Sequence, residues 1–300
     1  MPLFFVGRRS VFSVDLLLNA IVAGVLLGGF YAAVSLGISV AFGLLDVVNI
    51  AHPAFIILGS YAAYVMNTSF GLDPILTGLI FTPVFYVVGV IVYRIYYASF
   101  EKKGAESLRG LVFFFGLLFI IEVSILLKYG VDYRLVEAAY IGQSIHIGGI
   151  GIAFRLFVPC VVGTVMTLAL HLFFSKTFYG RAIMGVSQDS LALRLMGADP
   201  IRIKTIAFGL GIATASRAGA LLIMINPVEP SIGREYIGRV FAITVLGGMG
   251  SIGGTLLGAL ILGVVESFTA TFYGPSWSPA VSFGILLLAL AVRPSGLLGR

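Results

Sequence analysis

Residues 16–45, LLLNAIVAGVLLGGFYAAVSLGISVAFGLL, run without a single Asp, Glu, Lys or Arg. A helix of a soluble domain keeps a polar face, whereas this run is apolar all round and longer than the ~20 residues that cross a ~30 Å hydrocarbon layer. Outward from it, hydropathy marks further apolar segments at 53–66, 74–97, 110–127, 154–174, 203–225, 237–246, 252–272 and 279–292. The chain is 59% hydrophobic and 11% charged. Soluble domains carry about 25% charge, so lipid is the solvent for most of this surface. In lipid only helices and closed barrels satisfy every backbone polar group, and the strict alternation of barrel strands is missing. The segments therefore predict an all-α, polytopic transmembrane helical bundle forming a single domain over residues 1–300, with membrane lipid as its first partner.

Arg8 and Arg9 ahead of the first run resemble a secretory signal, but the run is too long for a cleaved apolar region and reads as a retained span. Two connections concentrate basic charge: 101–109, with Lys102, Lys103 and Arg109, and 175–204, with Lys176, Arg181, Arg194, Arg202 and Lys204. The positive-inside rule places both in the cytoplasm. Two long segments separate them, which is self-consistent and leaves 128–151 outside. The net charge of +6 is this same signature, so no nucleic acid partner is expected. Arg8 and Arg9 favour the cytoplasm too, which requires an even number of crossings before Lys102, where hydropathy counts three. The short segment 53–66 is therefore expected to be a half-helix or re-entrant element following the polar break 46–52, giving about eight spans. Arg293 and Arg300 are placed inside.

A matching interruption occurs late in the chain, where the short segment 237–246 ends in Gly247-Gly248-Met249-Gly250-Ser251 before the next helix starts at Ile252. Two broken segments in matching places predict an internal inverted repeat, and such a pair is the sequence pointer to a transporter's substrate pathway. Asn49 and His52 at the first break, and Gly247, Gly248 and Ser251 at the second, are the pathway candidates. The alternative is that these groups satisfy the interrupted backbone, which needs partners in lipid. Glu122, Arg217 and Glu266 lie in or near apolar segments, where ionisable groups are either functional, snorkelling or structurally paired.

Residues 180–200 are too polar to span the membrane. Leu191, Leu195 and Met196 share one helical face, with Gln188, Asp189 and Arg194 free to face water, so the stretch predicts a short amphipathic helix stopped near Gly197 and Pro200. Such a helix either docks in a groove on a soluble partner or lies on the membrane surface.

Three blocks make the chain similar to the LivH-type permeases of branched-chain amino-acid ABC transporters: 49–61, NIAHPAFIILGSY; 180–189, GRAIMGVSQD, with 194–197, RLMG; and 245–254, VLGGMGSIGG. The stretch 293–299, RPSGLLG, fits as well. The resemblance runs from about residue 15 onward and implies a multi-pass subunit of the bacterial cytoplasmic membrane without ATPase activity of its own. Its partners would be a second, LivM-type permease, two cytoplasmic ATP-binding subunits and an extracytoplasmic solute-binding protein. It further implies that the cytoplasmic loop, about 176–204, couples to the ATPases through Gly180, Arg181, Gln188, Asp189, Ala192, Arg194 and Gly197. The chain has Pro53-Ala54 where the family commonly has Gly-Glu, and Leu191-Ala192-Leu193 for Glu-Ala-Ala. An importer of another small solute, such as urea, an amide or a nucleoside, is thus the alternative, with a stand-alone channel or secondary transporter further off.

Residues 248–253, GMGSIG, spell a dinucleotide fingerprint, but no strand, acid or soluble βαβ unit accompanies it, so no cofactor is expected. One cysteine, Cys160, and three scattered histidines, His52, His146 and His171, suggest no metal site, and hydrolase and phosphate-loop motifs are lacking, so no catalytic residue is assigned. Gly24/Gly28, Ala215/Gly219 and Gly254/Gly258 have the small-xxx-small spacing of close helix packing.

Overall fold

A computed structural model describes residues 14–103, 107–147, 149–293 and 295–299, so Arg8, Arg9, Pro294 and Arg300 lie outside the described residues. The helices are α1 (Val14–Leu45), α2 (His52–Phe70), α3 (Pro74–Ser99), α4 (Ser107–Tyr129), α5 (Phe154–Lys176), α6 (Phe178–Gln188), α7 (Ser190–Leu195), α8 (Pro200–Ile225), α9 (Gly233–Gly247), α10 (Ile252–Phe272) and α11 (Ser278–Val292). A hairpin of β1 (Ser144–Ile147) and β2 (Ile150–Ala153) precedes α5. Seven of the helical stretches are long and apolar enough to cross a membrane. The protein is a multi-pass helical membrane protein. Of these seven, α1 and α8 are the most enclosed, while α3, α4, α5 and α11 turn rows of Leu, Ile and Val outward to lipid.

The element starts follow local chemistry. Asp73 caps α3 by accepting from the Ile75 amide at 2.8 Å, and Asp199 caps α8 by accepting from Ile201 at 3.0 Å. Each is followed by proline, whose fixed φ and missing N–H suit the first helical position. Asp73 also accepts from the Tyr140 phenol at 2.7 Å. Burial, then this carboxylate, raises the Tyr140 pKa well above its ordinary value.

The small residues do bring backbones together. A Cβ on Gly24 would lie 2.6 Å from the Val264 Cα and one on Gly28 2.7 Å from the Leu260 Cα, so α1 and α10 touch along this stripe. On α8, Ala215 and Gly219 receive α2 at Gly59, where Ser60 donates to the Gly219 carbonyl at 2.7 Å. Gly254 and Gly258 of α10 receive the end of α9. Without a hydrophobic drive between helices in lipid, such close contact and buried hydroxyl bonds supply the cohesion.

The bundle has two ends. At one, Asn19 of α1 exchanges hydrogen bonds with the hairpin, donating to the Gly149 carbonyl and accepting from the Gly151 amide, and Asn67 of α2 does the same with Glu137. At the other lie α6, α7 and the Glu101–Lys204 ion pair at 2.6 Å, which joins the two basic connections. The start of α1 therefore sits opposite loop 176–204. The expectations that α1 starts in the cytoplasm and that loop 176–204 lies there therefore cannot both hold, and with the loop on the cytoplasmic side no apolar segment has to fail to cross. Segment 53–66 is broken but not re-entrant: residues 46–51 rise from the loop end without helix, and α2 continues to the hairpin end.

Both short helices start inside the bundle. His52 lies 3.3 Å from the Val34 carbonyl, eleven residues, or ~16 Å of helix, above Leu45. The first residue of α9, Gly233, packs beside Ile57 and Pro53, so the N-terminal ends of α2 and α9 meet at mid-depth. Exchanging α1 with α8, α2 with α9, α3 with α10 and α4 with α11 maps several helix contacts onto one another: α1–α10 onto α3–α8, α2–α8 onto α1–α9, and α2–α4 onto α9–α11. The paired helices run in opposite directions, which makes the repeat an inverted one.

Candidate functional site

At the first break, Asn49 is buried and its Oδ1 accepts from the Ala51 amide at 3.1 Å, closing a turn over the interrupted backbone. His52 is fully buried with Nε2 toward the Val34 carbonyl. Each keeps one unsatisfied atom, Nδ2 of Asn49 and Nδ1 of His52, and the nearby Ser35 Oγ of α1 is also without a partner among the described residues. The second break is more fully closed. Ser251 caps α10 by accepting from the Gly254 amide at 3.1 Å, and the amides of Leu297 and Leu298 donate to the carbonyls of Leu246 and Gly247 at 2.9 and 3.0 Å. The glycine-rich block and the end of the chain thus meet, with 295–299 sealing the end of α9.

The five pathway candidates do not form one site. His52 lies beside Gly37 at mid-depth, whereas Gly250 lies against Gly43 at the loop end, six residues, or ~9 Å, further along α1. Between these levels, Ser39 of α1 shares a buried hydroxyl contact at 2.5 Å with Thr255 of α10, and Thr244 of α9 lies 3.5 Å from it.

What the structure does join is Ser251 and Gln188. A cavity of about 420 Å³ lies between α6 and the second break, walled by Asp46, His171, Ser175, Gln188, Gly250 and Ser251 together with apolar Leu44, Phe174, Met184 and Ile252. Asp46 has φ 55°, the one described non-glycine residue in the left-handed region.

Loop 176–204 holds two helices where the sequence predicts one. Asp189 is extended (φ −154°) and its carboxylate accepts from the amides of Leu191 and Ala192, so it ends α6 and starts α7. Leu191, Leu195 and Met196 are all exposed, as the helical face predicts, and Phe178 and Tyr179 join them. Arg181, Gln188, Ala192, Arg194 and Gly197 are also exposed, but Gly180 is buried against the backbone of Phe173 and Phe174, where it folds α6 onto α5.

Both intramembrane carboxylates are paired, whereas Arg217 meets only a hydroxyl among the described residues. Glu122 of α4 receives both Nε and a terminal nitrogen of Arg234, and Glu266 of α10 receives Arg239 Nε at 3.1 Å, the Tyr31 hydroxyl at 2.5 Å and the Ser282 hydroxyl. Both arginines belong to α9, so this short helix is tethered from two sides. Arg217 donates to Thr82 at 3.0 Å. Sequence reading singled out the two carboxylates but missed Arg234 and Arg239. Their signal was a pair of arginines beside an apolar segment with Glu235 four residues before Arg239.

Over residues 20–290 the chain matches the family described as branched-chain amino acid transport system / permease component. It is 30% identical to the high-affinity branched-chain amino acid transport system permease protein BraD of Pseudomonas aeruginosa, over 94% of this chain and 96% of BraD. The counterpart LivH of Escherichia coli is 29% identical over 92% of this chain and 94% of LivH. A shorter match, 34% identity over 123 residues, covers 40% of this chain and 28% of the permease protein LivM of Escherichia coli.

Proposed function

Because this chain belongs to the family of branched-chain amino acid transport system permease components, we propose that it is the membrane-spanning subunit of an ATP-driven importer for branched-chain or related amino acids. The observation that carries the reading is the shared cavity between α6 and the second helix break. Exposed Leu191, Leu195 and Met196 offer an apolar knob to a cytoplasmic ATPase, as amphipathic helices do in a partner's groove. Movement of that knob reaches the membrane by two routes. One runs through the cavity to the 248–251 turn; the other runs through Pro200 and the Lys204–Glu101 ion pair to α3.

In this reading the pathway opens alternately to either side by shifts of the short helices α2 and α9, and the chain hydrolyses nothing itself. A LivM-type permease completes the membrane unit, two ATPases sit below it in the cytoplasm, and a solute-binding protein delivers substrate to the hairpin end. The membrane is the bacterial cytoplasmic one. Reconstitution of the chain with these partners in proteoliposomes tests the proposal: leucine, isoleucine or valine should accumulate only with ATP and binding protein present. Concentrative uptake by the chain alone would refute it.

A further inference from the structure

A second cavity, of about 370 Å³, opens at the hairpin end along the first two turns of α9. Its volume lies in the ~300–1,000 Å³ range of small-molecule sites. Its floor is the Arg239–Glu266 pair. Glu266 is 2% exposed and saturated by Arg239 Nε, Tyr31 and Ser282. Arg239 is therefore anchored through one nitrogen. Its two terminal nitrogens carry no hydrogen bond among the described residues, and Glu235 stands off from one of them at 4.0 Å. A guanidinium held this way presents a planar fork, the geometry that binds a carboxylate through two parallel hydrogen bonds. Glu235, 62% exposed in its side chain, offers the opposite charge at the rim, and Leu27, Leu156, Ile225 and Ile232 supply an apolar wall.

The geometry points to a receiving site for a free zwitterionic amino acid with an apolar side chain, its carboxylate on the Arg239 fork, its ammonium at Glu235 and its side chain against Leu27 and Ile232. This inference rests on the import function proposed above and adds where in this chain the substrate is first held. The site differs from the two helix breaks, since the cavity shares no residue with either.

The test reads the cavity directly. Ser267, on its wall, is replaced by Cys in a Cys160→Ala background, and the full chain in phosphatidylcholine nanodiscs is labelled with a maleimide in the presence of leucine, leucinamide or 4-methylpentanoate. Leucine should slow labelling; leucinamide, without the carboxylate, should not. Glu235→Gln should raise the leucine concentration needed roughly tenfold, the effect of losing one charge-assisted hydrogen bond, and leave weaker protection by 4-methylpentanoate unchanged. Arg239→Lys keeps a cation for Glu266 but loses the fork, and should weaken protection by both. Labelling indifferent to leucine, protection unaltered by either substitution, or protection produced only by adding phosphatidylglycerol to the disc overturns the inference. Leucine uptake by the same variant reconstituted with its partners in sealed proteoliposomes separates the two readings: uptake without protection defeats the site alone, and protection without uptake defeats the import function alone.

Discussion

At the residue scale, Gly248 and Gly253 belong to one glycine-rich block yet have different jobs. Gly248 has φ 103°, and a Cβ there would lie 2.6 Å from the Gly299 Cα, whereas a Cβ on Gly253 would meet nothing within 4 Å. Gly248→Ala should destabilise the purified protein by about 1–3 kcal/mol through backbone strain, seen as a lower midpoint in thermal unfolding. Gly253→Ala, in the first turn of α10, should be neutral or slightly stabilising, by up to about 1 kcal/mol. The composition of the block revealed a break but not which glycine needs a left-handed backbone. Buried charge behaves similarly. Glu266→Gln leaves Arg239 without its counter-charge and should cost about 3–5 kcal/mol, and the double change with Arg239→Gln should recover much of that stability because neither charge then needs a partner. Sequence singled out Glu266 as anomalous, but its partners come from α1, α9 and α11, remote in the chain.

At the element scale, the loop between α5 and α8 was legible in its amphipathic face and illegible in its division. Asp189 tolerates a helical surface position and also makes a good cap, and only its extended backbone decides between them. Asp189→Ala should cost α7 about 1 kcal/mol of local stability, measurable as faster amide exchange over 190–195 with α8 unchanged. Leu195→Asp should abolish stimulation of partner ATPases while leaving membrane insertion intact, and undiminished stimulation would remove the docking role. Gly197 sits at φ 84° in open space, so a bulky residue there acts by straining the turn before Asp199 rather than by collision.

On the scale of the whole molecule, the bundle, its two broken segments and a polar loop between α5 and α8 are legible in hydropathy and charge, but the end of the bundle at which α1 starts is not. Arg8 and Arg9 favour a cytoplasmic start, but the larger basic clusters at 101–109 and 175–204 carry more of the charge bias. The contacts of Asn19 with the hairpin place the start of α1 at the end opposite loop 176–204. An impermeant maleimide applied from the periplasmic side should label Val14→Cys, and should label Met196→Cys only from the cytoplasmic side, both in a Cys160→Ala background. The inverted repeat was visible only as two interruptions; its evidence is a pattern of helix contacts between residues far apart in sequence.

The closure of α9 by 295–299 also bears on how the protein is made. The carbonyls of Leu246 and Gly247 wait for amides that follow about fifty residues later in the chain. At ~5–20 residues per second of translation, that end of α9 stays uncapped for ~3–10 s. During that interval the nascent half-helix needs substitute hydrogen-bond donors from water or from the insertion machinery, so the maturation of α9 should depend on the rate of elongation.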